Sequence, residues 1–138
     1  MIILDTNVIS EVMKASPAAR VVKWLGSHAQ SRIFTTSVTQ AEIFFALETM
    51  PHGRRREALY NAAATMFKER FAGRLLVFDG DASHIFAEMA AARRRTGRPI
   101  GQFDCQIAAI ARWNGAAIAT RDLNDFADCG VELIDPWA

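Results

Sequence analysis

Four carboxylates stand where a solvated surface has no need of them: Asp5, Glu42, Asp104 and Asp122. Asp5 closes the apolar run Ile2-Ile3-Leu4, and Asp122 stands just beyond the run "AAIAT" (116–120). Glu42 shares a helical face with Val38 and Phe45, and Asp104 shares one with Ile107, Ala108 and Ala111. Each has an ordinary explanation. Asp5 and Asp122 are good helix caps, Asp104 is a first-turn acid, and Glu42 can reach water from the edge of its stripe. As a set they say more. If they converge, mutual repulsion raises their pKa values unless a cation neutralises them. Hard oxygen donors of this kind suit Mg²⁺ or Mn²⁺. Zinc is a poor match, because His28, His52 and His84 are scattered and Cys105 and Cys129 lack ligand spacing.

Other chemistries lack their motifs. The chain has no phosphate-cradling glycine loop and no G-x-S-x-G turn. An aspartyl phosphotransferase usually places a second carboxylate two residues after a strand-end Asp, where this chain has Asn7.

The elements that must position these acids alternate in type. Strand-like runs fall at 2–4, 32–36, 75–78, 116–120 and 131–134. Helical patterns fall at 6–14, 18–28, 37–50, 54–71, 80–96 and 102–113, with a short helical turn near 122–127. Ser37 and Gln40 have capping-box spacing. Short apolar runs separated by helices predict a mainly parallel sheet of four or five strands, with helices on both faces. Such sheets build sites beyond the carboxyl ends of their strands, which is where Asp5 and Asp122 stand.

With 138 residues, 51% of them apolar, the expectation is one domain (1–138) with a substantial core. No signal-peptide pattern or membrane-length apolar stretch is evident, so the expected setting is the cytoplasm. A net charge of +1 neither requires nor excludes a nucleic-acid partner.

Local charge is more informative. Arg93 to Arg95 end a helix and complement its dipole, whereas Arg54 to Arg56 begin one, where cations are disfavoured. That makes Arg54 and Arg55 candidates for phosphate contact, although a solvated turn is an equal reading. Arg121, beside Asp122, is better placed. "AEIFFALETM" (41–50) holds more large apolar residues than one helix face buries, as in a partner surface or a deeply buried helix.

Taken together, "LDTNVISE", "SVTQAEI", "GRPIGQFDCQIAAIA", "ATRDLNDF" and "DPW", in this order, resemble the PIN domains. The similarity is greatest to the VapC group of type II toxins and its FitB-like branch, and covers essentially the whole chain. It implies a three-layer α/β/α sandwich and a metal-dependent endoribonuclease. It carries the family's three acids onto Asp5, Glu42 and Asp104, and the fourth onto Asp122, with Asp125 in reserve. Thr6, Asn7 and Thr120 are then supporting residues that fix carboxylate rotamers. The implied cofactor is Mg²⁺ or Mn²⁺, activating water to leave a 5′-phosphate and a 3′-hydroxyl. The implied partners are RNA, a second copy of the chain, and a VapB/FitA-like antitoxin that presents a basic side chain to the acids. A PIN nuclease of RNA processing or decay, and an inactive PIN-like binding module, are the competing readings.

Overall fold

The computed structural model describes all 138 residues. Strand β1 (Ile2–Leu4) is buried along its whole length. That is how a strand covered on both faces reads in sequence: apolar throughout, without alternation. β2 (Ile33–Thr36) and β4 (Ala117–Ala119) flank it. The outer strands, β3 (Leu75–Leu76) and β5 (Leu133–Ile134), are two residues each. All pairings are parallel, in the order β3-β2-β1-β4-β5.

Strand pleating sorts two cores. Ile3 and Ile118 face α5 (Gly80–Arg95) and α6 (Gln102–Asn114), packing with Met89, Ile107 and Ile110. Ile2, Leu4 and Ala119 point the other way. They meet α1 (Thr6–Val12), α2 (Ala19–Gly26), α3 (Ser37–Glu48) and α4 (Arg54–Thr65) through Val8, Ile9, Val21, Ile43 and Ala63. α4 runs on into a π turn, Met66–Arg70, which buries Met66 and Phe67. The expected three layers are present, and each face of the sheet supports its own core.

The chain leaves β1 for β2 and β3 on one side, then crosses to β4 and β5 on the other. The reversal falls between β1 and β4, whose last paired residues are Leu4 and Ala119. At this boundary the connections diverge and open a crevice. The next residue on each strand, Asp5 and Thr120, stands at its mouth. No helix is long and apolar enough to cross a membrane.

Several local expectations are corrected. The short helical turn expected near 122–127 is instead a run of turns at 123–128, entered through an Asp125 N–H to Asp122 C=O bond of 3.1 Å. The runs at 75–78 and 131–134 pair over only two residues each, because each lies at a sheet edge with one neighbour. Ser37 is not the cap of α3. Thr36 is extended (φ −126°, ψ 157°), and its hydroxyl accepts from the Thr39 N–H at 3.1 Å. β2 enters α3 without a loop, so the last strand residue must do the capping. Thr36→Ala is therefore expected to cost about 1 kcal/mol or somewhat more, and Ser37→Ala under about 0.5 kcal/mol. Urea unfolding of the two variants checks the assignment.

Candidate active site

Asp5 is 4% exposed, and both its carboxylate oxygens are held. Oδ1 accepts from the Thr6 N–H at 2.8 Å, so Asp5 does cap α1. Oδ2 accepts from the hydroxyl of the fully buried Thr120 at 2.8 Å. That hydroxyl also accepts from the Asp122 N–H at 3.0 Å and from Asn7 Nδ2 at 3.2 Å. The second proton of Asn7 Nδ2 goes to Asp122 Oδ2 at 3.0 Å. Asn7 and Thr120 thus knit the acid beyond β1 to the acid beyond β4. Asp122 caps nothing, because its side chain is turned towards Asn7.

A second network holds Glu42. The Thr6 hydroxyl donates to Glu42 Oε1 at 2.8 Å and lies 3.1 Å from the Thr39 hydroxyl, itself 3.4 Å from that of Thr36. A hydroxyl has one proton, and an ionised carboxylate only accepts. The chain therefore has one consistent direction: Thr36 to Thr39, Thr39 to Thr6, Thr6 to Glu42. Glu42 is half-buried at the edge of α3, whose core stripe is Val38, Thr39, Ile43 and Leu47. The expected neighbour Phe45 is 71% exposed, so the buried stripe is narrower than spacing suggested. Phe45 lies beyond it, on the solvent side.

Asp104 enters from the first turn of α6. Its pKa is raised to about 6, by burial first and then by the charges of Asp5, Asp125 and Asp122. Asp5 is also raised to about 6 by burial, against the lowering effect of the Thr120 and Thr6 hydrogen bonds. Burial and the charge of Asp104 raise Glu42. The four acids therefore do converge. Asp5, Glu42, Asp104 and Asp122 line one polar cleft of about 440 Å³, together with Thr6 and Asn7. Asp125 is exposed outside it and acts on Asp104 by charge. Arg54 and Arg55 are exposed at the start of α4 and do not reach it.

Glu11, Lys14 and Trp137 also line the cleft, and sequence reasoning missed them in this role. Glu11 is committed elsewhere. It accepts from Lys14 Nζ and the Ala18 N–H, both at 3.0 Å, and these bonds lower its pKa. The i, i+3 Glu–Lys pair was the available signal. Trp137 brings its indole to the rim, and the Arg121 guanidinium lies 5.0 Å from the ring centroid. Arg93 is the other surprise. Only 7% exposed, it donates to the carbonyls of Arg98 (2.7 Å), Asp125 (3.1 Å) and Ala127 (3.0 Å). Its role is to clamp the loop after Asp122, with Arg98 helping through an ion pair to Asp128 at 2.8 Å.

The donor set fits a hard divalent cation: carboxylate, hydroxyl and amide oxygens, with an excess of negative charge. No three of the acids are grouped closely enough to hold an ion together. A second cavity of about 230 Å³, lined by residues such as Leu4, Ile9, Val12 and Leu25, is mostly apolar and brings no acids together.

Two outcomes follow for chelated protein. Asp5 and Asp104 hold their protons to about pH 6 when folded but release them near 3.8 when unfolded. The folded state then binds more protons between those values, and stability falls as pH rises through them. Asp104→Asn should be more stable than wild type at pH 7 and lose that advantage near pH 4, as measured by urea unfolding. Arg93→Met leaves three carbonyls without their donor and should cost about 2–4 kcal/mol, read from the same unfolding curves at pH 7.

Residues 2–131 match the PIN domain family. The chain is 40% identical over 137 residues to "VapC ribonuclease Y4jK" of Sinorhizobium fredii, covering 99% of this chain and 98% of that protein. It is 34% identical to "Toxin FitB" of Neisseria gonorrhoeae, covering 99% of each. A solved structure of FitAB bound to an IR36 DNA fragment superposes with a TM-score of 0.93 at 33% identity, covering 100% of this chain and 96% of that one. A central parallel sheet with acids gathered at its switch point, and similarity along nearly the whole chain, lead to one family: this chain belongs to the PIN domains.

Proposed function

We propose that this chain is a divalent-metal-dependent endoribonuclease and the toxin of a toxin–antitoxin pair, working in the cytoplasm. The observation that carries the reading is the meeting of Asp5, Glu42, Asp104 and Asp122 in one polar cleft. The names of the relatives, a VapC ribonuclease and the toxin FitB, support both halves of it.

Asp5 and Asp104 are the first residues to hold Mg²⁺ or Mn²⁺, with Asp122 and Glu42 completing the set. When bound, such a cation supplies Lewis-acid charge at the scissile phosphate and eases deprotonation of water. The protein's own part is positional. Thr120 and the Thr6 N–H fix both oxygens of Asp5, so its carboxylate cannot rotate. Asn7 fixes Asp122, and Thr6 fixes Glu42, which would orient the attacking water. Burial of Asp5 leaves its charge little screened by solvent. Arg121, held over Trp137, offers a cation for substrate phosphate. Attack by water rather than by the ribose 2′-hydroxyl leaves a 5′-phosphate and a 3′-hydroxyl.

A cleft this acidic needs masking when idle, and an antitoxin that extends a basic side chain into it is the matching partner. The structure of the FitAB complex supports an antitoxin of the FitA or VapB kind. The exposed Phe45 on α3 suits contact with a second copy of the chain.

The test is cleavage of cellular RNA with Mg²⁺ or Mn²⁺, with the ends mapped. Wild type is expected to leave 5′-phosphates and to stop in excess EDTA. Asp104→Asn should be inactive, and Asp122→Asn should lose far more activity than Asp125→Asn. Thr6→Val should lower kcat about 10- to 100-fold without unfolding the chain. Full cleavage by Asp104→Asn, or in EDTA, defeats the reading.

A further inference from the structure

Trp137 has two sides. Its ring helps to line the acidic cleft, while its backbone carbonyl accepts from Arg20 Nη1 at 3.4 Å. Beyond that carbonyl the surface dips into a second depression of about 340 Å³, walled by Arg20, Lys23, Trp24, Ser27, Pro136 and Ala138. The four α2-side residues occupy positions i, i+3, i+4 and i+7, so they share one helical face.

The chemistry of this depression is opposite to that of the cleft. No Asp or Glu side chain lines it. Arg20 and Lys23 are exposed, and neither joins an ion pair; those pairs are Lys14–Glu11, Arg56–Glu48 and Arg98–Asp128. Trp24 is half-buried, packed on one side against the core under α2, and its ring meets the His28 ring at 4.6 Å between centroids. Two unpaired cations around a braced indole form the combination that holds a single nucleic-acid strand: charge for successive phosphates and a flat ring for a base.

We propose that this depression binds the RNA strand flanking the cleaved bond, with Arg20 and Lys23 on phosphates and Trp24 beneath a base. The inference rests on the ribonuclease reading. The strand leaves the acidic cleft past Arg121 and Trp137 and enters the basic depression on the far side of Trp137. An acidic peptide would also suit Arg20 and Lys23, but only a nucleic-acid strand adds a base for the Trp24 ring. The site thereby favours substrates that are single-stranded next to the cut.

The experiment uses the full chain in EDTA, so that RNA stays intact, and fluorescence anisotropy at several salt concentrations. Unstructured RNAs of about 4 and about 12 nucleotides span the range of single-strand sites. Wild type is expected to bind the longer RNA more tightly. Arg20→Ala with Lys23→Ala should lower the slope of log K against log salt by about 1.4, about 0.7 per lost phosphate contact. The same pair should abolish most of the gain with length. Arg94→Ala with Arg95→Ala, a charge-matched pair on α5, should leave slope and gain unchanged. A slope retained in the Arg20/Lys23 pair, or an equal loss in the control pair, overturns the inference. So does dependence on Arg20 and Lys23 for a Glu-rich peptide but not for RNA. Cleavage assays with Mg²⁺ separate the two proposals. A wild type that cuts RNA while the double variant keeps its slope sinks only the depression; a wild type that cuts nothing sinks the ribonuclease reading.

Discussion

The hydrogen bond from Thr120 to Asp5 joins two strands that never meet in sequence, across the one place where the sheet reverses its winding. A carboxylate buried to 4% exposure is tolerable only when its oxygens are satisfied, and here a hydroxyl and a backbone N–H satisfy them. The rest of the site is arranged around that constraint. Because Thr120 also receives the Asp122 N–H, the turn after β4 is fixed by the same oxygen that fixes Asp5. Asn7 then ties Asp122 back to the start of α1. Four residues from two ends of the chain become one rigid unit, without any charged partner to quench the acids.

The threonines show how a fold can orient a carboxylate and leave it available. A salt bridge would hold Glu42 but would also cancel its charge. A line of hydroxyls from Thr36 through Thr39 and Thr6 holds it by direction alone. Thr36 serves twice, as cap of α3 and as origin of the line, so the helix that carries Glu42 and the bond that aims it share one residue.

What the sequence made legible was whatever depends on near neighbours. "IIL" and "AAIAT" read as buried strands because they are apolar without interruption, and Asp5 and Asp122 were visible as acids just past them. Asp104 was visible as a first-turn acid on an inward face. Glu42 was found through a face that included Phe45, although packing left Phe45 in solvent; how wide a stripe is buried depends on the neighbouring helix, not on period. Arg93 could not be picked out of three consecutive arginines, since the loop that turns one of them inward lies more than thirty residues away. Trp137 belongs to the terminal pattern "DPW", but nothing local puts its ring beside Arg121. The extent of β3 and β5 was likewise invisible, because pairing length at an edge is decided by the partner strand.

Those short edges have a consequence of their own. An exposed strand of ordinary length offers a row of free amides and carbonyls on which another chain can grow a further strand. Here the outermost strands present two residues each, too few to template such growth. The sheet is closed to extension from either side, so recruitment by other molecules falls to helix surfaces and loops. The chain can expose a reactive sheet end without also exposing a sticky sheet border.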